Sequence, residues 1–268
     1  MIGFETLNIT SLILSTIILG YSAWMDLKTR EVPDRVWIIY LPASSILLIL
    51  RLISNPQIAN IYAASILITA GISLLMFQIG LFGGADLKAM ICLAVALPTN
   101  PGKALITSIN PIFPLTILYN TYLLSIGTVA YILAKNVEWR IIRGEVLFNG
   151  VGETSHLRKF LAIMTGYKTI YKTLREKVYL YPMEGTSMES YGKGKRLRLL
   201  VKVEEDRDRL ISKLGETLGN GEDGVVWVTP GIPLLTLMFA ALLLCTFIGD
   251  ILQTIVFNTA QFLIRRKV

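Results

Sequence analysis

Long apolar stretches alternate with short polar seams along most of this chain, and only one extended polar segment interrupts them. Apolar runs cover roughly residues 7–25, 36–54, 60–82, 87–98 and 112–134, with a sixth over roughly 231–264. A helix crossing a bilayer needs about 20 predominantly apolar residues, so most of these runs predict membrane spans. The fourth is short. From Asp86 to Pro98 it has about 13 residues, roughly 20 Å of helix against a hydrocarbon core of about 30 Å. Either it continues irregularly through "TNPGKALITSI" or its Asp86 end is sunk below the membrane surface. Non-helical backbone at that depth is tolerated only inside protein or beside a water-filled cavity.

The polar segment from about 135 to 229 reads differently. "EKVYLYPME", "KRLRLLVKV" and "GVVWV" predict strands. "EEDRDRLISKLGETL" predicts an amphipathic helix whose leading acids suit the positive end of its dipole, and "HLRKFLAIMTGYKTI" a second helix. The expected architecture is a membrane α-helical bundle of about six transmembrane helices, with a small cytoplasmic α+β domain inserted before the last. In boundaries, 1–134 is the membrane domain with helices 1–5, 135–229 the α+β domain, and 230–268 the last helix and C-terminal tail. No internal repeat is visible.

Composition agrees: 53% of the 268 residues are hydrophobic, 17% are charged, and the mean hydropathy is +0.57. The first run lacks a basic leading region and a small-residue cleavage pattern, so it reads as a helix rather than a cleavable signal peptide. A net charge of +7 suits anionic lipid headgroups; nucleic acid is not expected as a partner, because acids are mixed among the basic residues. Lys28, Arg30, Arg35, Lys88, Lys135, Arg140 and Arg143 fall in one set of seams, and only Arg51 and Lys103 in the opposite set. The positive-inside tendency then puts the N-terminus outside and the first loop, the seam at Gly83 and the 135–229 segment in the cytoplasm. The side of the tail Arg265-Arg266-Lys267 stays open. Two cysteines without a CxxC pair and a lone His156 support neither a disulfide framework nor a metal site, and no cofactor is expected.

Membrane-embedded acids are rare and usually functional. Asp26 ends the first run, Asp86 starts the fourth in "GGAD", and Asp250 lies in the sixth. The orientation argument puts Asp26 and Asp86 on the same side. Should two such carboxylates share one water, they cannot both ionise easily and titrate as a pair. The ionised member takes a proton from water while the neutral member donates to a carbonyl oxygen.

"MDLKTREVPD" followed by "GGADLKA" resembles the archaeal preflagellin peptidases, which belong with the type IV prepilin peptidases among the GxGD-type intramembrane aspartic proteases. The resemblance implies Asp26 and Asp86 as catalytic residues, with Arg30, Val32 and Pro33 in the context of the first and Gly83, Gly84 and Ala85 in that of the second. Ala85 replaces the second glycine of the strict motif. "FPLTILYNT" and "VVWVTPGIPLL" extend the resemblance over nearly the whole chain. It implies a membrane-embedded endopeptidase removing a short basic leader from archaellin or pilin-like precursors, whose leader is followed by a hydrophobic helix. Cleavage would fall at the cytoplasmic face of the cell membrane, without methyl transfer because the zinc-binding cysteines of bacterial relatives are missing. On this reading the glycines let the backbone turn and approach a substrate strand.

Other acids read more simply. Glu31 and Asp34 are solvated loop acids, Asp250 is polar packing or an interface position, and Lys88 reaches for headgroups. Glu204-Glu205-Asp206 with Asp208 starts a solvated helix, attraction of a basic leader being the weaker reading. The alternative function is an ion- or proton-coupled transporter, which predicts acids at mid-membrane depth and repeat symmetry.

Overall fold

The computed structural model describes residues 3–102, 104–106, 110–148, 155–184, 207–217 and 224–265. The described residues form ten α-helices, one 3₁₀ turn and three strands. They divide into two compact units, Met1–Ser125 with Pro233–Val268, and Ile126–Ile232.

In the first unit, polarity is inverted relative to a water-soluble bundle. Helix α1 (Phe4–Thr29) buries Ser11, Ser15, Leu19 and Ser22 and turns Ile9, Ile13 and Ile17 outward. Helix α3 (Ala59–Gln78) likewise buries Ser65, Thr69 and Ser73. Lipid is as apolar as leucine, so what favours helix contact in a membrane is close packing of small residues and hydrogen bonding among them. The Tyr40 hydroxyl of α2 (Arg35–Ser54) donates to Ser15 Oγ at 2.7 Å, joining α2 to α1.

Helix α4 (Gly84–Ala96) is the 13-residue piece expected to be too short to span. Ala89, Met90 and every residue from Cys92 to Ala96 are buried, as suits a helix that is apolar all round. It packs against α1, α2, α3 and α9 (Leu234–Phe247). Its far end is held from outside. Arg51 of α2 is 1% exposed and its Nη2 donates to the Ala96 carbonyl at 2.7 Å, while Ser65 Oγ donates to the Pro98 carbonyl at 2.6 Å. These bonds satisfy carbonyls that a helix end otherwise leaves unpaired, and they fix how deep α4 sits.

The sixth apolar run is broken rather than continuous. Helices α9 and α10 (Ile251–Arg265) meet at 65°, with Gly249 at φ +113°. A side chain at Gly249 would run into the Ile106 carbonyl, so glycine is required there twice over. Four described helices are long and apolar enough to cross a membrane, or up to five counting this bent pair as one span.

The fifth run continues beyond its apolar part: helix α5 extends over Phe113–Arg143. Lys, Glu and Arg are good helix formers, and the Lys135–Glu138 pair at 2.7 Å lies on adjacent turns. In the second unit, Asn136 of α5 donates from Nδ2 to the carbonyls of Ile163 and Gly166 at 3.1 and 2.8 Å. "HLRKFLAIMTGYKTI" is only half helical. Helix α6 (His156–Thr165) stops at Gly166, and β1 (Tyr167–Ile170) follows. A side chain at Gly166 would collide with Met183 Sδ and the Val228 carbonyl, so the chain must pass there without one. With β2 (Leu180–Pro182) and β3 (Val225–Pro230), β1 forms an antiparallel sheet in the order β1-β3-β2, Tyr167 opposite Val228 and Leu180 opposite Pro230. Helices α7 (Tyr171–Glu176) and α8 (Arg207–Thr217) complete a core of Tyr171, Leu174, Ile211, Leu214 and Val226. The expected strand "KRLRLLVKV" and the acids Glu204-Glu205-Asp206 lie outside the described residues. The protein is thus a membrane helical bundle carrying a small α+β unit.

Candidate active site

Asp26 occupies the last turns of α1, a position its own helix disfavours, because a helix C-terminus carries partial negative charge. Two features answer this. The carboxylate faces the backbone N–H groups of Leu235 and Thr236 in the first turn of α9, where the dipole is positive. Arg30 Nη1 lies 3.9 Å from Asp26 Oδ1. Thr236 Oγ1 donates to the Ala23 carbonyl at 3.2 Å, tying α9 to α1 beside the carboxylate. Asp26 Oδ2 is buried without a hydrogen-bond partner among the described residues, which leaves it for water or substrate.

Arg30 closes α1 at φ +61°, the one non-glycine residue with positive φ among those described. That conformation costs an ordinary side chain on the order of 1 kcal/mol, and residues held in it gather at functional sites. Val32 packs on the core, and the Pro33 carbonyl accepts from Val36 N at 3.1 Å as α2 begins. The motif around Asp26 is therefore a tight reversal that brings Arg30 back over the carboxylate.

Asp86 sits at the opposite kind of helix end. It is the third residue of α4, and its Oδ2 accepts from Gly83 N at 2.9 Å, closing a cap at the start of the helix. The structure brings Asp26 and Asp86 within electrostatic reach of each other, both beside the positive ends of helices. Lys88 pairs with Asp34 at 2.6 Å, so a loop acid and a lysine read separately in the sequence meet each other instead. Both are substantially exposed.

The glycines need correction. Gly83 is extended at φ −79°, Gly84 is not among the positive-φ residues, and the turn before α4 is made by Gly80 at φ +78°. A side chain at Gly84 would meet nothing within 4 Å. Neither residue is required by the turn. Ala85, by contrast, packs against the core, where its small side chain fits.

Asp250 belongs elsewhere. It is 1% exposed at the break between α9 and α10, at the far end of α9 from Asp26. Its Oδ1 accepts from Asn120 Nδ2 at 3.1 Å and Gln253 N at 3.0 Å, an α10 cap. Cys92 and Cys245 are buried and unbridged. Two contributors escaped the sequence reading: the α9 backbone, signalled only by the "PGIP" punctuation before it, and Tyr122 of α5, which lies within electrostatic reach of Asp86.

A membrane bundle with two of its acids, Asp26 and Asp86, near each other defines a class, and comparison with known proteins points to a family. Residues 13–133 match the type IV leader peptidase family, and residues 158–251 match the archaeal peptidase A24 C-terminus, type II. The two matches together span most of the chain, and they support a multi-pass membrane peptidase that removes leader peptides. The transporter alternative is not supported. Among similar proteins, the preflagellin peptidase of Methanococcus voltae is 28% identical over 245 residues, covering 86% of this chain and 91% of the relative. That of Methanocaldococcus jannaschii is 28% identical over 247 residues, covering 84% and 88%.

Proposed function

We propose that the chain is an aspartic endopeptidase that removes the short basic leader of archaellin or pilin-like precursors, with Asp26 and Asp86 as its catalytic pair. The observation that supports this reading is that two carboxylates lie within electrostatic reach of each other beside the positive ends of two helices, one keeping a buried oxygen without a hydrogen-bond partner among the described residues. In the proposed mechanism the pair shares one proton. The ionised carboxylate removes a proton from a bound water, whose oxygen attacks the scissile carbonyl carbon. The protonated carboxyl gives its proton to the carbonyl oxygen, forming a neutral tetrahedral diol. Collapse of the diol breaks the C–N bond: one diol hydroxyl returns its proton to the ionised carboxylate as the new carboxyl group forms, the amine leaves with the proton of the other carboxyl, and one proton remains on the dyad.

The site faces the cytoplasm in this proposal. Lys28, Arg30, Arg35 and Lys88 all flank the Asp26–Asp86 end, whereas Arg51 is consumed inside the bundle by the Ala96 carbonyl and is no free loop charge. Residues 135–229 form the cytoplasmic domain, with 1–134 and 230–268 in or at the membrane. Open space beside Gly84 is where an extended substrate strand passes. A peptide hides its carbonyls inside an α-helix, so the scissile bond lies just before the precursor's apolar helix.

The test uses purified protein in proteoliposomes with an archaellin-like precursor. Sequencing of the product should show a new N-terminus at the leader–helix junction, and acid quench during turnover should trap no leader covalently attached to the protein. A covalent leader adduct would overturn the direct attack of water.

A further inference from the structure

A dyad that shares one proton has a single O–H to give to a scissile carbonyl. That oxygen has two lone pairs and gains negative charge as water attacks, so a second donor beside Asp86 favours the attack. Helix α5 brings one back to that level. Phe113 N donates to the Pro98 carbonyl at 3.3 Å, so α5 starts beside the end of α4. From Phe113 to Tyr122 the chain climbs about 14 Å, and from Ala96 back to Asp86 about 15 Å, at a rise of about 1.5 Å per residue. Ile117 and Leu118 of α5 are buried in the same core as Leu93 and Leu97, and Tyr122 lies one turn beyond Leu118 on the same face. There the packing opens, and Tyr122 is 36% exposed.

The hydroxyl has little to give up. It donates to Met76 Sδ of α3 at 3.5 Å, and a thioether is a weak acceptor. Met76 also closes the turn that precedes α4: its carbonyl accepts from Leu81 N at 2.9 Å and from Phe82 N at 3.3 Å, around Gly80. Gly83, whose N–H caps onto Asp86, follows directly, and the space beside Gly84 is open. The phenol lies within electrostatic reach of Asp86. An O–H carried on a rigid ring, reachable from outside and bound only to sulfur, gains strength by moving to a carbonyl oxygen.

We propose that the Tyr122 hydroxyl is a further catalytic residue of leader removal, donating to the scissile carbonyl oxygen beside Asp86 and keeping that hydrogen bond in the tetrahedral diol. The assignment rests on the Asp26–Asp86 pair. Tyr122 transfers no proton and forms no covalent bond. The bonds made and broken are those of the dyad mechanism, and the phenol steadies the oxygen that receives the carboxyl proton.

The test uses the full-length protein in proteoliposomes with an archaellin-like precursor. Two peptide inhibitors spanning the leader–helix junction accompany it, one with a secondary hydroxyl in place of the scissile carbonyl and one with a methylene there. Tyr122→Phe keeps the ring and removes the O–H. It should lower kcat about ten- to a hundredfold, with KM within about threefold of wild type and an unchanged melting temperature. It should weaken the hydroxyl inhibitor about tenfold and leave the methylene inhibitor unaffected. Met76→Leu keeps the volume and removes the sulfur, and its kcat should stay within about twofold. Equal losses in Tyr122→Phe and Met76→Leu make the contact a structural tie and overturn the proposal, as does a change confined to KM or equal weakening of both inhibitors. Asp86→Asn is measured in parallel. Activity near wild type there overturns the pair and this assignment together, whereas an inactive Asp86→Asn beside a fully active Tyr122→Phe overturns the Tyr122 assignment alone. Should Tyr122→Phe fail to fold, a fluorine placed next to the Tyr122 hydroxyl keeps the phenol. Its resonance should shift further with the hydroxyl inhibitor than with the methylene one, and equal shifts overturn the proposal.

Discussion

Gly84→Ala separates what the fold needs from what the substrate needs. Gly84 is the first residue of α4, has no glycine-only backbone conformation, and a side chain there meets nothing within 4 Å. Replacing glycine by alanine in such a helical position stabilises by at most about 1 kcal/mol, through the lower entropy of the unfolded chain. The melting temperature should therefore hold or rise slightly. Catalysis should respond in the opposite direction. The added methyl projects a C–C bond length, roughly 1.5 Å, into the space assigned to the substrate strand. A displacement of about 1 Å at a reacting centre costs about a hundredfold, so kcat/KM should fall by about ten- to a hundredfold, and further for Gly84→Val. Leader removal from a precursor in proteoliposomes, followed by gel shift over time, measures the rate, and detergent-solubilised melting measures the fold. Activity within about twofold of wild type for both variants would show that the substrate does not pass there.

Other perturbations probe the frame around the pair. Arg30→Gly removes the cation beside Asp26 while relieving the positive φ, so melting should rise and leader-cleavage rate should fall, both measured on one preparation. Arg51→Met orphans the Ala96 carbonyl that Arg51 Nη2 now meets at 2.7 Å; thermal melting should drop by about 1–3 kcal/mol of stability, with cleavage falling in step as α4 loses its depth. Asp250→Asn keeps an acceptor for Asn120 and Gln253 and should retain most activity in the same assay, whereas Asp250→Ala loses the α10 cap at a cost of about 1 kcal/mol in melting.

The helices were legible because apolar length is a strong signal, and the shortness of α4 was visible in the distance from Asp86 to Pro98. The end of α5 was not: its charges suggested a stop at 134, yet Lys135 and Glu138 satisfy each other on the helix surface and Asn136 bonds to the α6–β1 turn. The strand β1 was hidden for a related reason. "YKTI" follows an amphipathic helix without a proline, and what forces the change is Gly166 passing under Met183, a contact distant in sequence. At the candidate site, the nearness of Asp26 and Asp86 was legible from motif and orientation together. Support from the α9 N-terminus was not, since backbone N–H groups leave no mark in composition; nor was the idleness of Gly83 and Gly84 in the turn, which only the angle at Gly80 reveals.

The most direct measurement is the single-turnover rate of leader removal for Asp26→Asn and Asp86→Asn, each alone and then combined, in protein shown by melting to be folded. Each single change should lower the rate at least about a thousandfold, and the double variant should be little worse than either, because the two carboxylates act on one water as a unit. Retention of more than about a tenth of the wild-type rate by either single variant, set against this expectation of mutual dependence, would contradict it.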